Sequence, residues 1–470
     1  MMTSAHAGPG VESVPIARVI MISATAALAG FLFGFDTAVI NGAVGAIRDQ
    51  FEVDGFVLGF SVAAALIGCA IGAWFTGRIA DRYGRVRVMI IAAIIFVVSS
   101  IGCGFAIGIV DLTLWRLFGG LGVGAASVIA PVYIAEVSPP AYRGRLGSLQ
   151  QMAIVVGIFV ALLTDAVIVA AAGSASNPWL FGLEAWRWMF LSEVVPAVLY
   201  GVLALTIPES PRFLIGAGMR EKAIGVLRRY VGGNPEKTAD EIAETFVGRE
   251  APRLSILKGR ALGLQPIVWV GIGLSVLQQF TGINVIFYYS SILWQAVGFT
   301  EQDSLTITVI TSVTNIVTTI VAIALIDKIG RRPLLLVGAI GQFLTLGTLA
   351  IVFATAPVID GAPVLEGAAS PIALVAANLF VVFFGATWGP VVWVLLGEMF
   401  PNRIRVVALS VAAAAQWAAN FIISTTFPAL AAVGLGLAYG VYTFFAFVAI
   451  FFVVRFVKET RGRTLEEISR

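Results

Sequence analysis

Seven carboxamides stand within otherwise apolar stretches of this chain: Gln151, Gln278, Gln279, Asn284, Asn315, Gln416 and Asn420. A carboxamide donates and accepts hydrogen bonds at once and carries no charge, so a set of them suits a neutral ligand rimmed with hydroxyls. Asn284 and Tyr288 are spaced i, i+4, as are Gln416 and Asn420, so each pair shares a helix face. Tyr288, Trp388 and Trp393 offer aromatic faces for the C–H surface of such a ligand. A second kind of chemistry comes from Asp36, Arg116 and Glu193, ionisable residues in apolar surroundings. Such charges are costly unless paired, and are functional by default. An aspartate that can pair with an arginine or part from it is a device for taking up and releasing a proton. The plainer alternative is a static salt bridge. Asp165, close to the end of its apolar run, is given no role.

These residues need a membrane to sit in. The chain is 59% apolar and 12% charged, with a mean hydropathy of +0.95; soluble domains carry roughly 25% charged residues. Twelve apolar runs are long enough to span a bilayer, near 18–40, 57–77, 87–108, 112–135, 147–171, 187–207, 266–292, 304–326, 333–354, 371–397, 406–428 and 434–457. The first is no cleavable signal peptide, being too long and carrying Gly34 and Asp36. Gly282 and Gly389-Pro390 are expected to break the seventh and tenth runs near the midplane and expose backbone to a cavity. Cys69 and Cys103 both lie in apolar runs and read as reduced packing residues. The single histidine, His6, falls in the N-terminal tail, so no histidine relay or histidine metal site is expected in the membrane. With no Walker loop and no nucleophile–histidine pair, neither an enzyme nor an ATP-driven pump is expected, and no cofactor beyond a coupling proton. A net charge of +3 scattered over turns excludes nucleic acid as a partner.

An even number of spans puts both termini on one side. Arginines and lysines crowd the even-numbered turns, as at Arg78, Arg82, Arg85, Arg143, Lys328, Arg331, Arg332, Arg403 and Arg405, while the opposite loops are mostly acidic. The positive-inside rule then makes both termini cytoplasmic. Arg48 and Arg187 run against that trend. The chain divides into a tail (1–17), a six-span half (18–207), a charged linker (208–265), a second six-span half (266–457) and a short tail (458–470). Ala223, Ile224, Leu227 and Tyr230 recur at helical spacing in the linker, which reads as two or three short amphipathic helices, either a plain connection or a cytoplasmic latch.

The two halves repeat one another. Gly77-Arg78-Ile79-Ala80-Asp81-Arg82-Tyr83-Gly84-Arg85 returns about 246 positions later as Asp327-Lys328-Ile329-Gly330-Arg331-Arg332. Glu136-x-x-Pro139-x-x-x-Arg143 returns as Glu398-x-x-Pro401-x-x-x-Arg405, and Pro208-Glu209-Ser210-Pro211-Arg212 corresponds to Lys458-Glu459-Thr460-Arg461. The pattern implies two six-helix bundles related by an axis along the membrane normal, with a site between them.

These segments, with Gln278-Gln279-Phe280-Thr281-Gly282-Ile283-Asn284 and Trp388-Gly389-Pro390, resemble the sugar porter family of the major facilitator superfamily over nearly the whole length, most closely its bacterial sugar–proton symporters. The resemblance implies an all-α fold of twelve transmembrane helices that moves a neutral monosaccharide by alternating access. It implies that Gln151, Gln278, Gln279 and Asn284 bind sugar hydroxyls, that Asn315 and Gln416 line the site and that Trp393 lies against the ring; Tyr288, Trp388, Gly389 and Asn420 are further expected lining residues. Asp36, Arg116 and Glu193 would couple transport to a proton. Ile158 stands where xylose-type symporters carry a second glutamine, so the sugar preference of those relatives does not carry over. Arg82, Glu136, Arg143, Arg212, Asp327, Arg331, Glu398 and Arg403 would pair between the halves when the molecule faces outward. Any one amide could simply glue helices together, at often less than about 1 kcal/mol, but seven in matching segments are poorly explained that way. A facilitative uniporter, a polyol or cyclitol symporter and a membrane sugar sensor remain alternatives. The expected setting is a bacterial cytoplasmic membrane, with lipid and sugar as the only partners and a monomer as the working unit.

Overall fold

The computed structural model describes residues 16–139, 143–232, 234–244, 254–359, 362–401 and 404–461. Among these, twelve helices are long and apolar enough to cross a bilayer. The first six are Ile16–Phe51, Gly55–Tyr83, Arg85–Gly104, Ile109–Val137, Leu149–Ala172 and Ala185–Ala204. The second six are Pro266–Ala296, Glu301–Ile326, Arg331–Thr355, Ala369–Met399, Val407–Val433 and Leu435–Phe456. Their outward faces carry residues such as Trp74, Ile94, Val195, Leu344 and Phe451, all exposed. A protein surface this apolar is at home in lipid.

Within the first half the second span lies along the fourth and the first along the fifth. These seams are held by backbone approach rather than by large side chains. A Cβ on Gly68 would meet the Leu117 carbonyl, and one on Gly120 the Ala65 carbonyl, the small-residue packing that membrane helices use. Between the halves the second span packs on the eleventh and the fifth on the eighth. A two-fold relation between the halves exchanges these two seams.

The seventh span breaks at Gly282, whose φ of 83° is open to glycine without strain, so that Pro266–Phe280 and Ile283–Ala296 are separate helices. The tenth behaves differently from the expectation of a break at Gly389-Pro390. Phe384–Trp388 form a π-helical turn, and the chain stays helical through Gly389 (φ −54°, ψ −68°). Widening the turn absorbs the N–H that Pro390 lacks. The sixth span is interrupted at Glu193, between helices Ala185–Ser192 and Val194–Ala204.

Among its described residues the linker holds three short α-helices, Pro211–Gly216, Arg220–Val226 and Pro235–Glu244. Ile224, Leu227 and Ala239 give them a small core of their own. The exposed pairs Arg220–Asp240 (2.6 Å) and Arg228–Glu236 (3.0 Å) tie their outer faces. These helices pack on the first half, and the linker's last residues touch the second. Cys69 and Cys103 are buried free thiols.

Candidate functional site

The helix break at Gly282 concentrates polar side chains in the middle of the bundle. Gln278 and Gln279 end the first helix of the seventh span and Asn284 begins the second. Their carboxamides form a directional chain. Asn284 Nδ2 donates to Gln279 Oε1, and Gln279 Nε2 donates to Gln278 Oε1 at 3.3 Å. Gln278 Nε2 donates to the main-chain carbonyls of Trp388 (2.8 Å) and Gly389 (3.2 Å). Gln278 and Gln279 are buried, and Asn284 is half-buried. Each amide keeps a second N–H or an oxygen lone pair for another partner.

The other amides come from facing spans. Asn420 is buried and takes the Ser424 hydroxyl on Oδ1 at 3.1 Å. Gln416 and Gln151 are half-buried on the eleventh and fifth spans. Gln416 Oε1 meets no partner among the described residues. Asn315 is buried on the eighth span beside Gly385 of the π turn, where an added Cβ would lie 3.0 Å from its Oδ1. Trp393 is 39% exposed, whereas Trp388 is fully buried. Ile158 packs against the core from the fifth span. Its backbone N lies 3.0 Å from where a Gly34 Cβ would be, so this stretch lies hard against the first span.

Asp36 and Arg116 are both buried, and Arg116 Nη1 stands 4.0 Å from Asp36 Oδ1. The pair is loose. Arg116 Nη2 reaches the Val62 carbonyl at 3.3 Å, while Asp36 Oδ2 and Arg116 Nε have no hydrogen-bond partner among the described residues. Glu193, at the interruption of the sixth span, accepts from the Ser100 hydroxyl at 2.8 Å. The Arg116 guanidinium lies 5.9 Å from the Phe190 ring centre. The first span, which carries Asp36, packs on helix Ile283–Ala296, which carries Asn284 and Tyr288, and this sets the acid–base pair of the first half near the amides of the second. Asp165 is fully buried and accepts the Gly42 N–H at 3.1 Å.

Two features lay outside the residues singled out from sequence. Asn41, beyond the limit of 40 drawn for the first run, fastens the halves at the end of the bundle away from the termini. Its Nδ2 donates to the Phe287 carbonyl (3.1 Å) and to Ser290 Oγ (2.9 Å). Its Oδ1 accepts the Ser291 N–H at 3.3 Å, and its carbonyl accepts the Ser291 hydroxyl. Glu301 adds a bond to the Ala175 N–H at 3.1 Å. Each such bond contributes about 1 kcal/mol net. Asn41→Ala is therefore expected to loosen this end, raising the labelling of single cysteines placed there by roughly ten-fold or more; unchanged labelling would contradict it. Trp417 is the second addition. Its ring meets Phe33 edge to face across the halves, with centroids 5.6 Å apart. Its position next to Gln416 was the available signal.

At the terminal end the repeated segments build the same joint twice. Gly84 and Gly330 share φ/ψ near 100°/163°. Arg85 and Arg331 each reach back to a carbonyl five residues earlier, at 3.1 Å, and grip Glu136 and Glu398 with Nε at 3.0 Å. Ser210 and Thr460 donate to the same glutamates. Glu209 and Glu459 accept the first backbone N–H groups of the third and ninth spans, those of Arg85 and Val86 and of Arg331 and Arg332. For Glu459, burial works against ionisation, but the backbone donors of Arg461, Arg331, Arg332 and Thr460 outweigh it and hold the carboxyl below its ordinary range. Its contribution is present above the usual carboxylate pKa of about 4.3 and fades only as pH falls through the lowered value.

The sequence anticipated pairing between halves in an outward-facing molecule; here the ion pairs described at this end join residues of one half, with the other end closed. Arg85 occupies the place anticipated for Arg82, which is exposed with its guanidinium 5.3 Å from the Tyr83 ring centre. Arg212 lies in the first turn of the first linker helix, after Pro211. Arg403 lies outside the described residues, as do the side chains of Arg143 and Asp327. Arg85→Ala strands Glu136, 11% exposed, and is expected to cost about 3 kcal/mol. A melting temperature equal to the parent's would refute that.

The family model described as "Sugar (and other) transporter" matches residues 22–470. A glucose transport protein of Synechocystis sp. is 60% identical over 462 residues, covering 98% of this chain and 99% of that protein. A D-xylose-proton symporter of Escherichia coli is 37% identical over 486 residues, covering 96% and 95%. The xylose transporter of E. coli in an inward-open conformation superimposes with a TM-score of 0.80 at 35% identity, over 96% of this chain and 99% of that one. The E. coli proton:xylose symporter bound to 6-bromo-6-deoxy-D-glucose gives 0.76 at 35% identity, over 97% and 99%. Twelve spans, two repeated halves and an amide chain at the break of the seventh span thus meet a full-length family match: the chain belongs to the sugar transporter family.

Proposed function

We propose that the protein imports a neutral monosaccharide, a hexose or pentose of the glucose or xylose type, together with a proton. The observation that carries this reading is the packing of the first span, which bears Asp36 and its partner Arg116, against the second helix of the seventh span, at whose start the amide chain sits. Sugar hydroxyls donate and accept as the amides do, and can exchange partners with them one for one. Placing both termini in the cytoplasm of a bacterial cell, as the basic turns suggest, makes the Asn41 end the outer one and the conformation inward-facing. The similarity to the inward-open xylose transporter supports that assignment.

The cycle then runs as alternating access in a monomer. With Asp36 protonated and the outer end open, sugar enters among the amides. The halves rock, Asn41 engages the seventh span, and the inner end opens. Sugar leaves, Asp36 loses its proton inward and re-pairs with Arg116. No cofactor other than the proton takes part. Uptake by purified protein in proteoliposomes tests this, using labelled D-glucose, D-xylose and a cyclitol, with and without an imposed inward proton gradient. Saturable uptake of a hexose or pentose that the gradient drives above equilibrium is expected. Uptake of no sugar would overturn the substrate, and uptake that merely equilibrates under the gradient would overturn the coupling.

A further inference from the structure

We infer that Trp388 is a positioning residue: it meets no sugar but orients the Gln278 carboxamide, and through it the amide chain. The inference rests on the reading of that chain as the sugar site. The Trp388 side chain is fully buried and its indole is turned to the ninth span, which points to a supporting part in place of the lining role its aromatic type suggested. Its indole N–H donates to the Leu335 carbonyl of the ninth span at 2.9 Å. Gly338 of that span lies against both Thr387 and Trp388: an added Cβ would collide first with the Thr387 hydroxyl and would also come 2.8 Å from indole Cδ1.

On its other side the same residue holds the site. The Trp388 carbonyl accepts Gln278 Nε2 at 2.8 Å, and the Gly389 carbonyl shares the bond at 3.2 Å. Both carbonyls lie at the C-terminal edge of the π turn Phe384–Trp388, where the widened backbone turns them toward the seventh span. With its Nε2 fixed, Gln278 has its Oε1 aimed at Gln279, and Gln279 in turn receives Asn284. An indole pinned to the ninth span therefore sets the first link of a chain of three amides. Freeing the indole lets the carbonyl pair drift, and a hydrogen-bonded amide that loses its alignment loses most of the bond.

The test uses the full-length protein in detergent and equilibrium binding of labelled D-glucose and D-xylose, followed by transport kinetics in proteoliposomes. Trp388→Phe keeps an aromatic ring and removes the N–H. Gly338→Ala keeps the indole but drives a methyl into Thr387 Oγ1 and the indole edge together, shifting the π turn that presents the Trp388 carbonyl. Each is expected to weaken binding by about ten-fold, raising KM while the maximal rate holds. In a Gln278→Ala background neither should weaken binding further, because both act through Gln278. Effects that multiply with Gln278→Ala, or parental affinity in both single variants, would overturn the inference. Parental affinity in Gln278→Ala itself would instead overturn the reading of the amide chain on which it rests.

Discussion

Asp36→Asn is expected to abolish proton-driven accumulation while sugar exchange across the membrane continues. The substitution keeps the size and hydrogen-bonding capacity of the side chain and removes its titration. Only Asp36 pairs with Arg116 in the described structure, and it does so loosely, at 4.0 Å. A strong, fully bonded pair would lock one conformation; a stretched one can be broken and remade within a transport cycle. The energetic stake is large. A potential of about 100 mV adds roughly 2.3 kcal/mol for each proton moved, which sustains nearly fifty-fold accumulation. The expected result in proteoliposomes is a steady-state sugar ratio falling to one, with counterflow at a rate comparable to the parent. Retained accumulation would move the coupling site elsewhere, with Glu193 and its bond to Ser100 the next residue to change.

The second large effect is expected at Gln279, the middle of the amide chain. Gln279→Ala removes the acceptor of Asn284 Nδ2 and the donor to Gln278 Oε1 together. Gln278 Oε1, which is buried, and Asn284 Nδ2, which is half-buried, then lose partners, and on the proposed reading the sugar loses a contact as well. A buried group left unpaired costs about 1–3 kcal/mol, so binding should weaken by roughly 30-fold to 100-fold. Isothermal titration of detergent-solubilised protein would measure this. An unchanged dissociation constant would mean that these amides hold helices together and do nothing else.

Much of this was legible before any coordinates. Spans reveal themselves because a bilayer demands about twenty apolar residues in a row, and the duplicated arginine turns reveal the two halves. The helix break at Gly282 could be read because glycine next to a polar cluster has little reason to continue a helix. Three things were not legible. The length of the first helix, to Phe51, was underestimated because Asn41, Arg48 and Asp49 look like loop residues; the helix projects past the apolar run, and its polar end meets protein. The π turn at Phe384–Trp388 has no periodicity signature, since one extra residue per turn leaves apolar composition unchanged. The choice of Arg85 over Arg82 depends on which face of the turn points at Glu136, and neighbouring arginines in a turn are chemically alike.

The matched joints at the terminal end carry a mechanical consequence. Each block is clamped by its own arginine–glutamate–hydroxyl cluster, built from equivalent atoms at nearly equal lengths. Two bodies braced alike yield alike under load, so neither deforms first. The hydrogen bonds described here that cross from one lobe to the other are those of Asn41 and Glu301 at the opposite rim, so changes at that rim can tune the fastening between lobes without softening either one.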